Sequence, residues 1–345
     1  MATKMDIAQL DLVAAGTPNA QRVAVLEDIG QIDIRYARIP NPGHGEIRVK
    51  IRYVGICGSD LESYRGCRSP EFLSTPARLG HEVSGVIDAI GPGVCGLQIG
   101  QRVSCRYVWG AFAEYIVCKP FNVHVVPDHL SDEDISPIEV LPGILHAAEL
   151  AAITPNTDVL IMGQGVSGLV MTQVISLFSP RRLAVTDLKQ ANLDLARHYG
   201  ATHTYQLPGH DARTMDALSK DFADGFEVVI PCLLEGEGMI DAVDCAALAG
   251  RIIMYGCIGT CNKPFDWLKV HRRRLSILAT EPRRDIDMRR WFSEGVNLVE
   301  QGLVNVAEMI THTYSFNEIA EAFKKRDGKL GEAIHILVEC GTDNK

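Results

Sequence analysis

Residues 158–178 read DVLIMGQGVSGLVMTQVISLF, and no other run constrains the chain as much. A short apolar stretch meets Gly163, Gly165 and Gly168 in a G-x-G-x-x-G turn, and an apolar helical pattern, GLVMTQVISLF, follows. Glycines and polar residues interrupt the run, which suits a strand, turn and helix better than a membrane span. The next strand-like run, RLAVTD, ends in the acid Asp187. Glycines so placed let the backbone approach a pyrophosphate, whose charge the helix N-terminus stabilises. Asp187 is suited to accept hydrogen bonds from an adenosine ribose, and its charge repels a 2′-phosphate. The expectation is a dinucleotide site that favours NAD over NADP, a preference that Lys189 close behind weakens.

Strands and helices alternate beyond this turn. RLAVTD, THTYQL, FEVVIPC, RIIMYG and LSILAT read as strands, and QANLDLARHYG and GMIDAVDCAALAG as helices. That alternation predicts an α/β fold with a parallel sheet wrapped on both faces. Upstream, from Arg22 to about residue 130, the sequence is β-rich and broken by Gly and Pro. In EIRVKIRYV, residues Ile47, Val49, Ile51 and Tyr53 are expected to share one face. A helical segment starts near SDEDIS, with Ser131 and Asp134 as a capping pattern. The end of the chain reads as helix, helix, strand.

A chain of 345 residues favours two domains. With 34 basic and 43 acidic side chains the net charge is −9, which argues against a nucleic-acid surface. The ten cysteines are scattered and none forms a C-x-x-C pair. The first residues carry Asp6 and Asp11 and lack a continuous apolar core of a leader. Reduced thiols, a cytoplasmic location and no membrane partner are therefore expected.

The second informative run is VGICGSDLESYRG, residues 54–66. Cys57 sits between small residues, with Ser59, Asp60 and Glu62 directly after it. His81 and Glu82 follow in GHEVSG, and Glu139 in SPIEVLP. Cys, His and Glu suit zinc where one position stays open for water or substrate. Taken singly, Cys57 fits a buried thiol as well, and His81 fits a hydrogen-bonding histidine. Their convergence cannot be read from the sequence.

In this order, GICGSDL, GHEVSG, GAFAEY and GQGVSG resemble the zinc-dependent medium-chain dehydrogenase/reductases, the alcohol dehydrogenase superfamily. The likeness runs from about Arg22 onward and is strongest to the sorbitol and polyol dehydrogenase branch. The resemblance implies a GroES-like β-rich catalytic domain plus a Rossmann domain with a doubly wound parallel sheet. The expected division is an extension at 1–20, a catalytic domain at 21–145 and 286–345, and an NAD-binding domain at 146–285. It implies Cys57 and His81 as zinc ligands with Glu82 as the third, and Glu139 near the metal, holding its water or exchanging as a ligand. Ser59 matches the hydroxyl that passes the substrate proton outward. Gly163, Gly165, Val166, Gly168 and Asp187 match the NAD-binding positions. The implied reaction moves a hydride between a secondary alcohol of a polyol, sugar or cyclitol and NAD, in either direction. A homodimer or homotetramer is expected.

Departures from the family pattern qualify this. RVSCRYVWG, residues 102–110, is too short for the four-cysteine lobe of many relatives, so one catalytic zinc and no structural zinc are expected. Glu62 stands where relatives often have a histidine; it is read either as a proton relay or as a solvated surface acid. Glu139-Val140-Leu141 replaces the usual Glu-Pro-Leu, which leaves the role of Glu139 open between ligand and water holder. Cys257 and Cys261 in CIGTC read as ordinary thiols. The arginines from HRRR (residues 271–274) through Arg283, Arg284, Arg289 and Arg290 read mainly as solvated faces or salt bridges, with contact to an acidic or phosphorylated substrate as the alternative. Substrate specificity is expected in the loops Arg65 to Thr75, Val108 to Phe112 and Glu281 to Arg290. Two alternatives stand beside the main reading: a metal-free NADPH-dependent quinone or enone reductase of the same fold, and a non-catalytic NAD-binding protein.

Overall fold

The computed structural model describes residues 7, 10–68, 74–209, 213–218, 220–234, 236–256, 259, 261–280, 285–328 and 331–341. In chain order the elements begin with β1 (Ala20–Asp28), β2 (Gln31–Arg38), β3 (Ile47–Gly55), α1 (Gly58–Tyr64) and β4 (Glu82–Ile90). Next come β5 (Arg102–Cys105), β6 (Tyr115–Cys118), β7 (Val123–Val125), α2 (Asp132–Ile135) and α3 (Leu141–Ala151). The middle holds β8 (Asp158–Met162), α4 (Val166–Ser176), β9 (Arg182–Asp187), α5 (Gln190–His198), β10 (His203–Gln206) and α6 (Thr214–Leu218). Then follow β11 (Phe226–Pro231), α7 (Gly238–Cys245), β12 (Ala246–Met254), α8 (Trp267–Arg272) and β13 (Ser276–Ala279). The last are α9 (Asp285–Glu300), β14 (Ile310–Ser315), α10 (Ile319–Asp327) and β15 (His335–Glu339).

These elements form two compact units. The first takes the described residues up to Val140, Met288–Glu300, and those from Val306 on. The second takes Leu141–Asp287 and Gln301–Asn305.

The first unit is built on a seven-stranded sheet in the order β14-β15-β3-β4-β5-β7, with β6 also on β3, and a β1–β2 hairpin. Ile47, Val49 and Ile51 are fully buried, as alternation requires. The expected face breaks at Tyr53. The β3–β4 register shifts between Ile51 and Tyr53, so Val54 takes the core position and Tyr53 is only half-buried. Ser131 caps α2 as expected, accepting the Asp134 N–H at 3.1 Å. The helix stops after one turn, and a 3-10 turn over Ser136–Val140 separates it from α3.

The second unit is a six-stranded parallel sheet in the order β10-β9-β8-β11-β12-β13. The order reverses between β8 and β11, the switch point outside which doubly wound sheets bind ligands. All five residues of β8 are buried, which explains the unbroken apolar run that follows Asp158, from Val159 to Met162. The helix expected over GMIDAVDCAALAG ends early. Gly238–Cys245 is helical, but Ala246 to Gly250 belongs to β12, where pairing with β11 outweighs the helix propensity of alanine. Among the described residues, no helix is long and apolar enough to cross a membrane.

Candidate metal and cofactor sites

The metal-donor group is assembled within the first unit by the ends of two paired strands. Gly55 at the end of β3 lies opposite Glu82 at the start of β4. Cys57 caps α1 from just beyond β3, and His81 directly precedes β4. One ligand atom from each of Cys57, His81 and Glu82 lies within 4.8 Å of the others. Thus the sequence-separated Cys and His-Glu motifs do converge.

Asp60 explains why an acid follows the cysteine. Its Oδ2 accepts the Cys57 N–H at 3.0 Å and its Oδ1 accepts the Gly80 N–H at 2.9 Å. One buried carboxylate therefore ties together both donor segments. The same Oδ1 lies 3.7 Å from His81 Nδ1, oriented toward the ring as a second layer behind a metal-binding histidine would be. The sequence reading passed over Asp60, although Cys-x-x-Asp before a helix is a capping pattern.

The electrostatics of the group call for a cation. Burial and the carboxylates of Glu82, Asp60 and Glu139 push the Cys57 thiol well above its ordinary value. Glu82 is itself buried; burial opposes its ionisation, yet His335 and His81 bring its carboxyl down to about 2. Its Oε2 lies 3.1 Å from His335 Nε2, near enough for an ion pair though not aligned as a hydrogen bond. His81 Nδ1 is likewise buried without a hydrogen-bond partner. A half-buried thiol and a buried carboxylate, with unsatisfied polar atoms beside them, fit a divalent ion of zinc type. Space is tight: a Cβ on Gly55 would lie 2.2 Å from Glu82 Oε2 and 2.6 Å from His335 Nε2. His335 and Arg326, which adds positive potential toward Cys57 and Glu82, were also not anticipated. Both come from the far end of the chain.

Ser59, on the first turn of α1, has its Oγ 3.4 Å from His81 Nε2, and so stands at the donor group. Glu62 is not a solvated acid. It is 5% exposed, and its Oε2 accepts from Arg68 Nε at 3.1 Å. The Arg68 guanidinium lies over the Trp109 ring, and Trp109 in turn packs against His81 with ring centroids 4.2 Å apart. Glu139 is buried in the 3-10 turn but stands outside the group of three; its Oε1 is 3.1 Å from Arg106 Nη1.

In the second unit, the turn between β8 and α4 carries the glycines. Gly163 has φ +87°, a conformation that favours glycine. A Cβ on Gly168 would fall 1.9 Å from the Gly163 carbonyl oxygen, so the helix can approach the strand only without one. Gly165 caps α4 with open space where a Cβ would be, and Val166 begins the helix. The Asp187 carboxylate accepts the Gln164 N–H at 2.7 Å and the Lys189 N–H at 2.8 Å. It thereby joins the glycine turn to the end of β9. The residues present fit a dinucleotide, with the start of α4, whose first amides have no acceptor within the helix, facing a pyrophosphate position and an acid beside it.

Among the arginines read as a cluster, Arg273 donates to the Val243 and Asp244 carbonyls at the end of α7. Arg290 stacks on Trp291 and pairs with Glu294. Arg283 and Arg284 lie outside the described residues, as do Cys257 and residues 69–73 and 281–284 of two expected specificity loops. Cys261 is an exposed free thiol.

Residues 43–128 match the alcohol dehydrogenase GroES-like domain, and residues 168–290 match the zinc-binding dehydrogenase domain. The chain belongs to the zinc-dependent medium-chain dehydrogenase/reductase family. Within this oxidoreductase family it is similar to a sorbitol dehydrogenase of Bacillus subtilis, 25% identical over 93% of this chain and 98% of the relative. An L-threonine 3-dehydrogenase of Shewanella woodyi is 29% identical over 86% of this chain and 93% of its own. Among solved structures, an alcohol dehydrogenase of Escherichia coli CFT073 complexed with NADH superposes with a TM-score of 0.79 at 25% identity. That likeness covers 93% of this chain and 99% of the other. The family's two domain types correspond to the two sheets described above.

Proposed function

We propose that this protein is a zinc- and NAD-dependent dehydrogenase that interconverts a secondary alcohol of a polyol, sugar or cyclitol and the corresponding ketone. The observation that carries the reading is the convergence of Cys57, His81 and Glu82 with Ser59 beside them. These three residues would hold one zinc ion, which when bound supplies Lewis-acid polarisation of the substrate oxygen. NAD when bound supplies the hydride acceptor.

The chain's own residues do the rest. Asp60 holds Cys57 and His81 in place, and His335 faces Glu82, so the donor group is preorganised. Ser59 takes the hydroxyl proton of the alcohol and passes it outward. The amides of Gly165 and Val166 bind the pyrophosphate, and Asp187 orients the adenosine ribose while its charge disfavours a 2′-phosphate. A glutamate as third donor, with the likeness to a sorbitol dehydrogenase, supports a polyol substrate. The free cysteines among the described residues agree with a reducing, cytoplasmic setting, and we expect a homodimer or homotetramer.

The test is NADH formation at 340 nm, read against a panel of polyols, cyclitols and L-threonine. Turnover of a polyol or cyclitol that stops with a chelator and returns with zinc supports the reading. Oxidation of L-threonine alone would move the substrate class to amino acids. Chelator-insensitive reduction of quinones with NADPH would replace the reading by the metal-free one.

A further inference from the structure

Helix α1 brings Ser59 to the donor group and carries Glu62 three residues on, a neighbour on the same side of the helix. Glu62 Oε2 accepts from Arg68 Nε at 3.1 Å. The Arg68 guanidinium lies over the Trp109 ring, 5.6 Å from its centroid, and Trp109 packs on His81. His81 Nε2 stands 3.4 Å from Ser59 Oγ, which closes the circuit. Ser59, Glu62, Arg68, Trp109 and His81 thus form a ring of contacts that has the metal-donor group at one edge.

The ring is braced from outside. The Ala111 and Phe112 N–H groups donate to the Gly80 and Leu79 carbonyls at 3.1 and 3.2 Å, which ties the segment of Trp109 to that of His81. Gly110, directly after Trp109, turns the chain at φ +86°, and its carbonyl accepts from Arg78 Nη2 at 2.6 Å. At Arg68 the Glu62 carboxylate fixes Nε, and the Trp109 ring covers a face of the guanidinium. Among the described residues, the two terminal nitrogens of Arg68 donate no hydrogen bond, and neither is shut off from solvent.

Donors fixed in direction and left without acceptors beside a reaction centre can recognise a polar group of the substrate. Charge decides which group. Arg68 already faces the buried Glu62 carboxylate, so the pair is close to neutral and suits a hydroxyl better than a phosphate or carboxylate. The Trp109 ring adds an apolar surface for the carbon skeleton of a polyol.

We propose that Arg68 selects polyhydroxylated substrates: its terminal N–H groups donate to a hydroxyl oxygen remote from the carbon that is oxidised, while Trp109 lies against the skeleton. The proposal rests on the dehydrogenase reading above and narrows it to neutral substrates with at least one hydroxyl beyond the reacting one.

The probes are D-sorbitol, xylitol and myo-inositol, with 2-butanol and cyclohexanol as secondary alcohols that lack remote hydroxyls and D-sorbitol 6-phosphate as the anionic counterpart. The kcat/KM for each is measured in wild type, Arg68→Met and Arg68→Lys, with zinc content as the control for an intact site. Wild type is expected to favour a polyol over the simple alcohols and over the phosphate. In Arg68→Met, whose apolar stem still covers Trp109, kcat/KM for that polyol falls roughly 10- to 100-fold, while the simple alcohols change by less than about two-fold and zinc is retained. Arg68→Lys keeps the charge but not the planar fork, and loses roughly ten-fold on the polyol.

A structural role of Arg68 would lower both substrate classes together, and that outcome overturns the proposal. So does an unmoved polyol-to-alcohol ratio in Arg68→Lys, which decides the matter even where Arg68→Met fails to fold. A wild type that prefers sorbitol 6-phosphate, and loses that preference in Arg68→Met, would overturn the hydroxyl assignment in favour of an anion site. No oxidation of any of these alcohols by wild type would overturn the dehydrogenase reading and this proposal with it, whereas turnover with a ratio indifferent to Arg68 would overturn this proposal alone.

Discussion

Asp60 accepts the backbone N–H of Gly80 at 2.9 Å, and through that bond the loop before β4 is tied to the first turn of α1. Its other oxygen holds the Cys57 N–H, so a single buried carboxylate sets the spacing between the cysteine and histidine of the donor group. Asp60→Ala removes both bonds and leaves two buried amides without a partner. The expected loss is about 3 kcal/mol of stability, with zinc affinity falling roughly 10- to 100-fold. Chemical denaturation and zinc competition with a chromophoric chelator check the two effects.

Ser59 separates chemistry from metal binding. Its hydroxyl contributes no ligand atom to the group of three, so Ser59→Ala is expected to retain zinc. If it carries the substrate proton, kcat falls roughly 100-fold or more while KM changes little. Unchanged kcat would remove Ser59 from the relay.

Asp187 bears on cofactor choice. Replacing it by Ser removes the charge that disfavours a 2′-phosphate, and the kcat/KM ratio of NADP to NAD is expected to rise roughly ten-fold or more. The Gln164 and Lys189 amides that Asp187 now receives also lose an acceptor, so NAD itself binds less tightly. An unmoved ratio would locate the preference elsewhere.

Asp158, at the start of β8, shows how acid acts on the second unit. Burial opposes its ionisation, but Arg182 and Arg181 hold its carboxyl down at about 2, below an unfolded value near 3.8. A depressed folded pKa favours the native state above the unfolded value, and the benefit disappears as pH falls from about 4 to about 2. Because Arg181 is half exposed, solvent screens the pair and the contribution is about 1 kcal/mol. The stability advantage of wild type over Asp158→Asn, read from urea midpoints, should be present at pH 6 and be mostly lost as pH falls to about 2.

The turn from β8 through α4 to β9 was legible in the sequence because local signals agree there: a buried apolar strand, glycines in register and a terminal acid. Cys57, His81 and Glu82 were legible by residue type, since few other roles need that company. Their meeting was not, because the strand pairing that opposes Gly55 and Glu82 is a tertiary event. The same applies to Asp60, His335 and Arg106, whose partners lie far along the chain or depend on a bend in the backbone. Glu62 could be a relay or a surface acid by its position alone; only the packing of Arg68 against it and Trp109 removes the second option. Where local propensity misled, as from Ala246 to Gly250, a neighbouring strand decided the outcome.

The central claim is that Cys57, His81 and Glu82 hold one zinc ion. Elemental analysis of protein purified without added metal and dialysed against a mild chelator tests it most directly, in wild type and in Cys57→Ser. About one zinc per chain in wild type, largely lost in Cys57→Ser, is the predicted result. No zinc in wild type, or zinc content indifferent to Cys57, would contradict it.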